Sequence, residues 1–175
     1  DEERRVREKL KKIIKDNEDT SRKVREDVKK ELDDNRRTSE KVARDNERSI
    51  EEIKKALERG DGSEDDLRRL ARENEETNRD VHRRNDESLR KIERRLEEVT
   101  KRNKESADRA REEVERANLP EEVRRELDKL VKEIKERNDE VIEEARERVK
   151  RIREKNERSN RKLKKEAKKI EEEAR

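Results

Sequence analysis

The sequence predicts an all-α protein: a long up-down-up antiparallel three-helix bundle with weakly twisted, coiled-coil-like packing. Three observations predict it. The chain breakers, two Gly and one Pro in 175 residues, fall at only two points. Glu, Lys, Arg and Leu, all strong helix formers, fill the three stretches between them. Apolar and small polar residues recur there in steps of three and four.

Composition bounds the rest. Charged residues make up 62% and apolar residues 23%, with no Phe, Tyr, Trp, Met or Cys. A globular domain is nearer half apolar and a quarter charged, so a thick round core is excluded. Disorder is disfavoured because 56 basic and 53 acidic residues nearly cancel to +3, and because the breakers are kept out of three long stretches. Without Cys there is no disulfide framework, thiolate chemistry or thiolate metal site. No apolar run approaches the roughly 18 residues of a membrane span, and the opening "DEERRVREKL" has no signal-peptide core. The chain is therefore expected to be soluble and without a targeting signal, consistent with cytoplasmic recombinant expression. Its compartment is left open. The pI of 9.0 reflects three charges spread over mixed-sign surfaces, which does not make a nucleic-acid binder.

The first helix is expected over about 3–59, with Lys54, Lys55 and Arg59 at its negative end. "LERGDGSEDDLRRL" ends it. Gly60 suits a left-handed helix terminus. Ser63 can cap the next helix, with Asp66 at capping-box spacing. The second helix is expected over about 64–118, with Asn118 as its C-cap. "RANLPEEVRREL" then starts the third, about 120–174. Pro120 fits a first helical turn, and Glu121 and Glu122 meet the positive end of the dipole. Each helix is roughly 80 Å long at 1.5 Å per residue. Links this short make consecutive helices antiparallel neighbours in a single elongated bundle, 1–175.

The inward stripe of the first helix runs Val6, Leu10, Ile13, Asn17, Thr20, Val24, Val28, Leu32, Asn35, Ser39, Val42, Asn46, Ser49, Ile53, Ala56. The second runs from Leu67 and Leu70 through Ile92, Leu96 and Val99 to Val114. The third runs from Val123, Leu127 and Leu130 through Val141, Ala145 and Val149 to Ile170. The first stripe advances about 3.57 residues per step, above the 3.5 that forces a strong left-handed supercoil, so the twist is expected to be weak.

Uncharged polar residues interrupt these stripes, as in "KDNEDTSRKV", which places Asn17, Thr20 and Ser21 where apolar residues belong. Folding the hairpins on paper makes partners in the first two helices sum to about 123, and in the last two to about 238. The polar residues then collect in three layers. Asn17, Thr20 and Ser21 fall near Asn103, Ser106 and Asn138. Asn35 and Ser39 fall near Asn85, Ser88 and Asn156, with His82 at similar height. Asn46 and Ser49 fall near Asn74, Thr77 and Asn160. Apolar layers between them supply the driving force. Polar layers supply register, because a slip leaves donors facing Val or Leu.

These layers, the helix starts "SEDDLRRL" and "LPEEVRREL", the matched helix lengths and the aromatic-free Glu/Lys/Arg surfaces resemble computationally designed helical bundles with buried hydrogen-bond networks. The resemblance covers the whole chain. It implies a scaffold, half of a designed complex or part of a switch, with no substrate, cofactor or catalytic residue.

Nothing else points to chemistry. Paired carboxylates such as those of "EEIKK" are solvated helix faces. His82 is the only histidine. It is flanked by Arg83 and Arg84, which suits a network member rather than a metal ligand, and acid would strain the middle layer if it is buried and neutral. "GDG" is a helix-to-helix turn, not a phosphate loop. The basic stretches "REKLKKIIK" and "RKLKKEAKK" lack stacking aromatics, and the apolar stripe is too narrow for a membrane surface. Neither enzymatic activity, cofactor, metal, nucleic acid nor membrane is expected.

Two roles remain. One is a structural scaffold with no natural biochemical activity. The alternative is an interaction module that completes a larger bundle with a helical peptide or its own copy. Residues beside the main stripes, including Ile14, Ile50, Leu89, Ala107, Val131 and Ile142, with Thr38, Asn78 and Thr100 among the polar ones, either broaden the contact stripe or form a second seam.

Overall fold

Acidic residues open each helix and meet the positive end of its dipole: Glu2 and Glu3, then Glu64, Asp65 and Asp66, then Glu121 and Glu122. In the computed structural model, which describes residues 1–173, the helices are α1 (Glu2–Arg59), α2 (Glu64–Arg116) and α3 (Glu121–Glu173). No strand occurs among the described residues. The expected last helical residue, Ala174, lies outside them.

The first link closes as its sequence dictates. Gly60 has φ 69°, which a Cβ disfavours. Gly60 N donates to Leu57 O and Asp61 N to Ala56 O, at 3.3 and 2.9 Å. These two bonds form the Schellman motif and satisfy carbonyls left over at the end of α1. Leu67 N then donates to Ser63 O at 3.1 Å, the first turn of α2.

The second link differs from expectation. α2 ends at Arg116, two residues early, and Asn118 is not a left-handed cap, since no residue other than glycine has positive φ among the described residues. The cause is Leu119, whose side chain is buried and draws the chain inward. Leu119 N turns back onto Ala117 O at 3.0 Å. Asn118 N instead meets the Glu2 carboxylate at 3.2 Å. Pro120 precedes the helix rather than opening it, its carbonyl accepting from Arg124 N at 3.0 Å.

The chain divides into two compact units, each built from a segment of all three helices. Unit 1 comprises Asp1–Lys30 and Ile92–Arg148. Unit 2 comprises Glu31–Lys91 and the chain from Val149 onward. In both, the helices pack as a three-helix bundle. The core of unit 1 includes Val6, Leu10, Ala110, Val114, Leu119, Leu127 and Val131. That of unit 2 includes Ile50, Ile53, Leu67, Ala71, Leu163 and Ile170. Two apolar residues expected to face inward face outward instead: Leu70 is 44% exposed and Leu130 38%. Their neighbours Ala71 and Val131 are buried in their place. A helix in a three-helix bundle touches two partners, so its buried stripe is wider than a single row, and residues on its edge can lose the centre to an adjacent position.

Candidate functional site

Asparagine carries two donors and an acceptor, so three helices can be tied together if each contributes one. Unit 2 does this twice. In its first layer, Asn156 Nδ2 donates to Asn35 Oδ1 at 3.3 Å and Asn35 Nδ2 donates to Asn85 O at 3.1 Å. Asn85 Nδ2 returns to Ser39 Oγ at 2.6 Å. The chain of bonds thus crosses from α3 to α1 to α2 and back to α1. In the second layer, Asn46 Nδ2 donates to Asn78 Oδ1 at 3.5 Å, and Asn78 Nδ2 to Asn160 Oδ1 at 2.5 Å. Beside it, Asn74 Nδ2 donates to Ser49 Oγ at 2.6 Å. The pair 49 and 74, and the pair 78 and 160, satisfy the hairpin arithmetic of the sequence.

Asn78, noted in the sequence only as a flank residue, is the hub of this layer. Thr77 is exposed, and its hydroxyl donates to Glu73 O of its own helix at 2.9 Å. The inward stripe of α2 therefore passes through 71, 78 and 85 rather than through 70 and 77. The same one-position shift exposes Leu70 and buries Ala71. His82 and Ser88 are half-buried. His82 lines a narrow pocket of about 20 Å³ with Asn78, Asn85, Asn156 and Asn160.

Unit 1 has one polar layer, with fewer bonds. Ser21 Oγ donates to Asn138 Oδ1 at 2.9 Å, joining α1 to α3. Asn103 and Asn138 are 3% and 4% exposed, and the Nδ2 of each is buried without a hydrogen-bond partner in the protein. Asn17, Thr20, Asn103 and Ser106 line an open groove of about 530 Å³ between α1 and α2. Thr100, next along α2, uses its hydroxyl on Leu96 O at 2.7 Å.

Ion pairs between helices flank both units. In unit 1, Arg95 meets Asp27 at 2.7 Å and Lys9 meets Glu113 at 3.3 Å. In unit 2, Lys155 meets Glu40 at 3.2 Å and Arg153 meets Asp86 at 3.5 Å. All are solvent-accessible, so each adds at most about 1 kcal/mol. The hydrogen bonds that Arg7 donates to the Glu3 carboxylate and then to that of Glu126 raise its pKa further above the ordinary value.

Among the described residues, no group of three or more His, Cys, Asp or Glu could hold a metal ion. No described helix is long and apolar enough to cross a membrane. No family model and no curated protein matches the chain. Among solved structures, a chain described as a "Computationally designed three helix bundle" is similar at 13% identity and TM-score 0.41, covering 98% of this chain and 83% of its own.

Proposed function

We propose that this chain is a designed structural scaffold, without natural biochemical activity, whose helix register is specified by polar layers set between apolar ones. The observation that carries this reading is Asn78, which accepts from Asn46 on α1 and donates to Asn160 on α3. Sliding any one helix would leave those amides against Val or Leu, at a cost of about 1–3 kcal/mol for each group stranded. The aromatic-free Glu/Lys/Arg surface and the near-equal helices, 58, 53 and 53 residues, support design as the origin. Such a scaffold is a single closed bundle that needs no partner.

A second reading is favoured by the groove of unit 1. Its floor of Asn17, Thr20 and Ser106 offers hydrogen-bonding groups to a helical peptide or a second copy. Solution mass by size-exclusion chromatography with multi-angle light scattering at two concentrations tests the choice. The scaffold gives a constant mass near the 21.4 kDa of one chain. A mass two or three times larger that falls on dilution overturns it in favour of the interaction module.

A further inference from the structure

The polar layer of unit 1 carries two donors that its own side chains do not use. Asn103 Nδ2 and Asn138 Nδ2 are both buried and lack a partner within the protein. Both residues line one pocket of about 10 Å³, with Asn17 and Ser106, in a wall otherwise of Ile, Ala and Val apart from Lys135. Lys135 cannot serve these amides, because an ammonium only donates. The site needs an acceptor, and that acceptor must be small. A volume near 10 Å³ is about the least that holds one water, and such waters bind where two to four polar partners converge.

We infer that unit 1 contains a structural water site, in which one water accepts from Asn103 Nδ2 and Asn138 Nδ2 and donates toward the oxygens of Asn17 and Ser106. The match is in number as well as size. A water has two lone pairs for two orphan donors, and two protons for the neighbouring oxygens. The bridge ties α2 to α3, while the Ser21–Asn138 bond ties α3 to α1. The layer then spans all three helices, as the direct layers of unit 2 do. The inference rests on the closed-bundle reading, since in an open assembly a side chain of another molecule could fill the same place.

Oxygen-17 magnetic relaxation dispersion on the full chain counts waters held longer than bulk water, without interference from hydroxyl proton exchange. The expected result is one long-lived water fewer in Asn103→Leu than in the parent. An unchanged count overturns the bridge. Should Asn103→Leu not fold, a crystal structure of the unaltered chain at about 1.5 Å decides the matter. One ordered water within about 3.2 Å of both Nδ2 atoms is expected. A direct Asn103–Asn138 bond, or an acceptor from a neighbouring chain, overturns it. Light scattering on the same samples separates the failures: a monomer lacking the water refutes only the bridge, whereas an oligomer refutes the closed bundle.

Discussion

In unit 2, Asn35, Asn46, Asn74, Asn78, Asn85 and Asn156 all donate directly to another helix, through Nδ2. In unit 1, Asn103 and Asn138 each keep Nδ2 buried and unused by the protein. The residue types are the same, and all of them except the half-buried Asn74 are buried. What differs is whether the polar side chains at one height reach one another. Unit 2 stacks two layers in which α1 and α2 bring Asn or Ser within reach of each other, at distances down to 2.6 Å. In unit 1 the facing groups stand around an open groove and a small pocket. A buried amide is worth little when bonded and costs much when stranded, so identical residues can fix register in one place and create a hydration site in another.

The first way to sharpen this comparison is to remove apolar anchors. Leu127 in unit 1 and Ile170 in unit 2 are both fully buried. Truncating either to Ala should cost about 2–5 kcal/mol, measured by urea unfolding. Similar losses would place the difference between the units in their polar layers. Next in size, Asn78→Leu should cost about 2–4 kcal/mol, because it strands both Asn46 Nδ2 and Asn160 Oδ1. A loss below about 0.5 kcal/mol, the size expected of a surface change, would mean that the layer contributes nothing.

The links offer a smaller contrast. Gly60→Ala should cost about 1–2 kcal/mol, from its left-handed dihedral alone, since no atom lies within 4 Å of the added Cβ. Asn118→Ala, at a link without positive φ, should stay within about 0.5 kcal/mol. Thermal melts of the two variants check this directly. Smaller than the effect at Gly60, Asp27→Asn removes a half-buried charge pair with Arg95 and should shift stability by under about 1 kcal/mol, shrinking further in high salt.

Much of this was legible in the chain itself. Gly60, Ser63 and Pro120 bracket the three helices to within a few residues. The hairpin arithmetic alone places Ser49 against Asn74, which are hydrogen-bonded at 2.6 Å. Three things were not legible. Leu119 is a single apolar residue in a link, and nothing in its local pattern says that it docks into the core and shortens α2. The stripe of α2 could pass through 70, 74 and 77 or through 71, 74 and 78, because both follow steps of three and four. Packing chose the second by burying Ala71, where a small side chain lets helices approach, and it brought Asn78 inward in place of Thr77. Whether a buried amide finds its partner is likewise decided by side-chain reach, which residue spacing does not encode.

The most direct test of the difference between the units is urea unfolding of Asn103→Leu/Asn138→Leu beside Asn78→Leu. The double variant removes the two buried donors of unit 1 that no group of the protein accepts from, and leaves Ser21 free to bond a carbonyl one turn back in its own helix. Its unfolding midpoint is expected at or above that of the parent chain, while that of Asn78→Leu falls well below. Equal losses in both would contradict the comparison, since the polar layer of unit 1 would then be as fully bonded and as stabilising as those of unit 2.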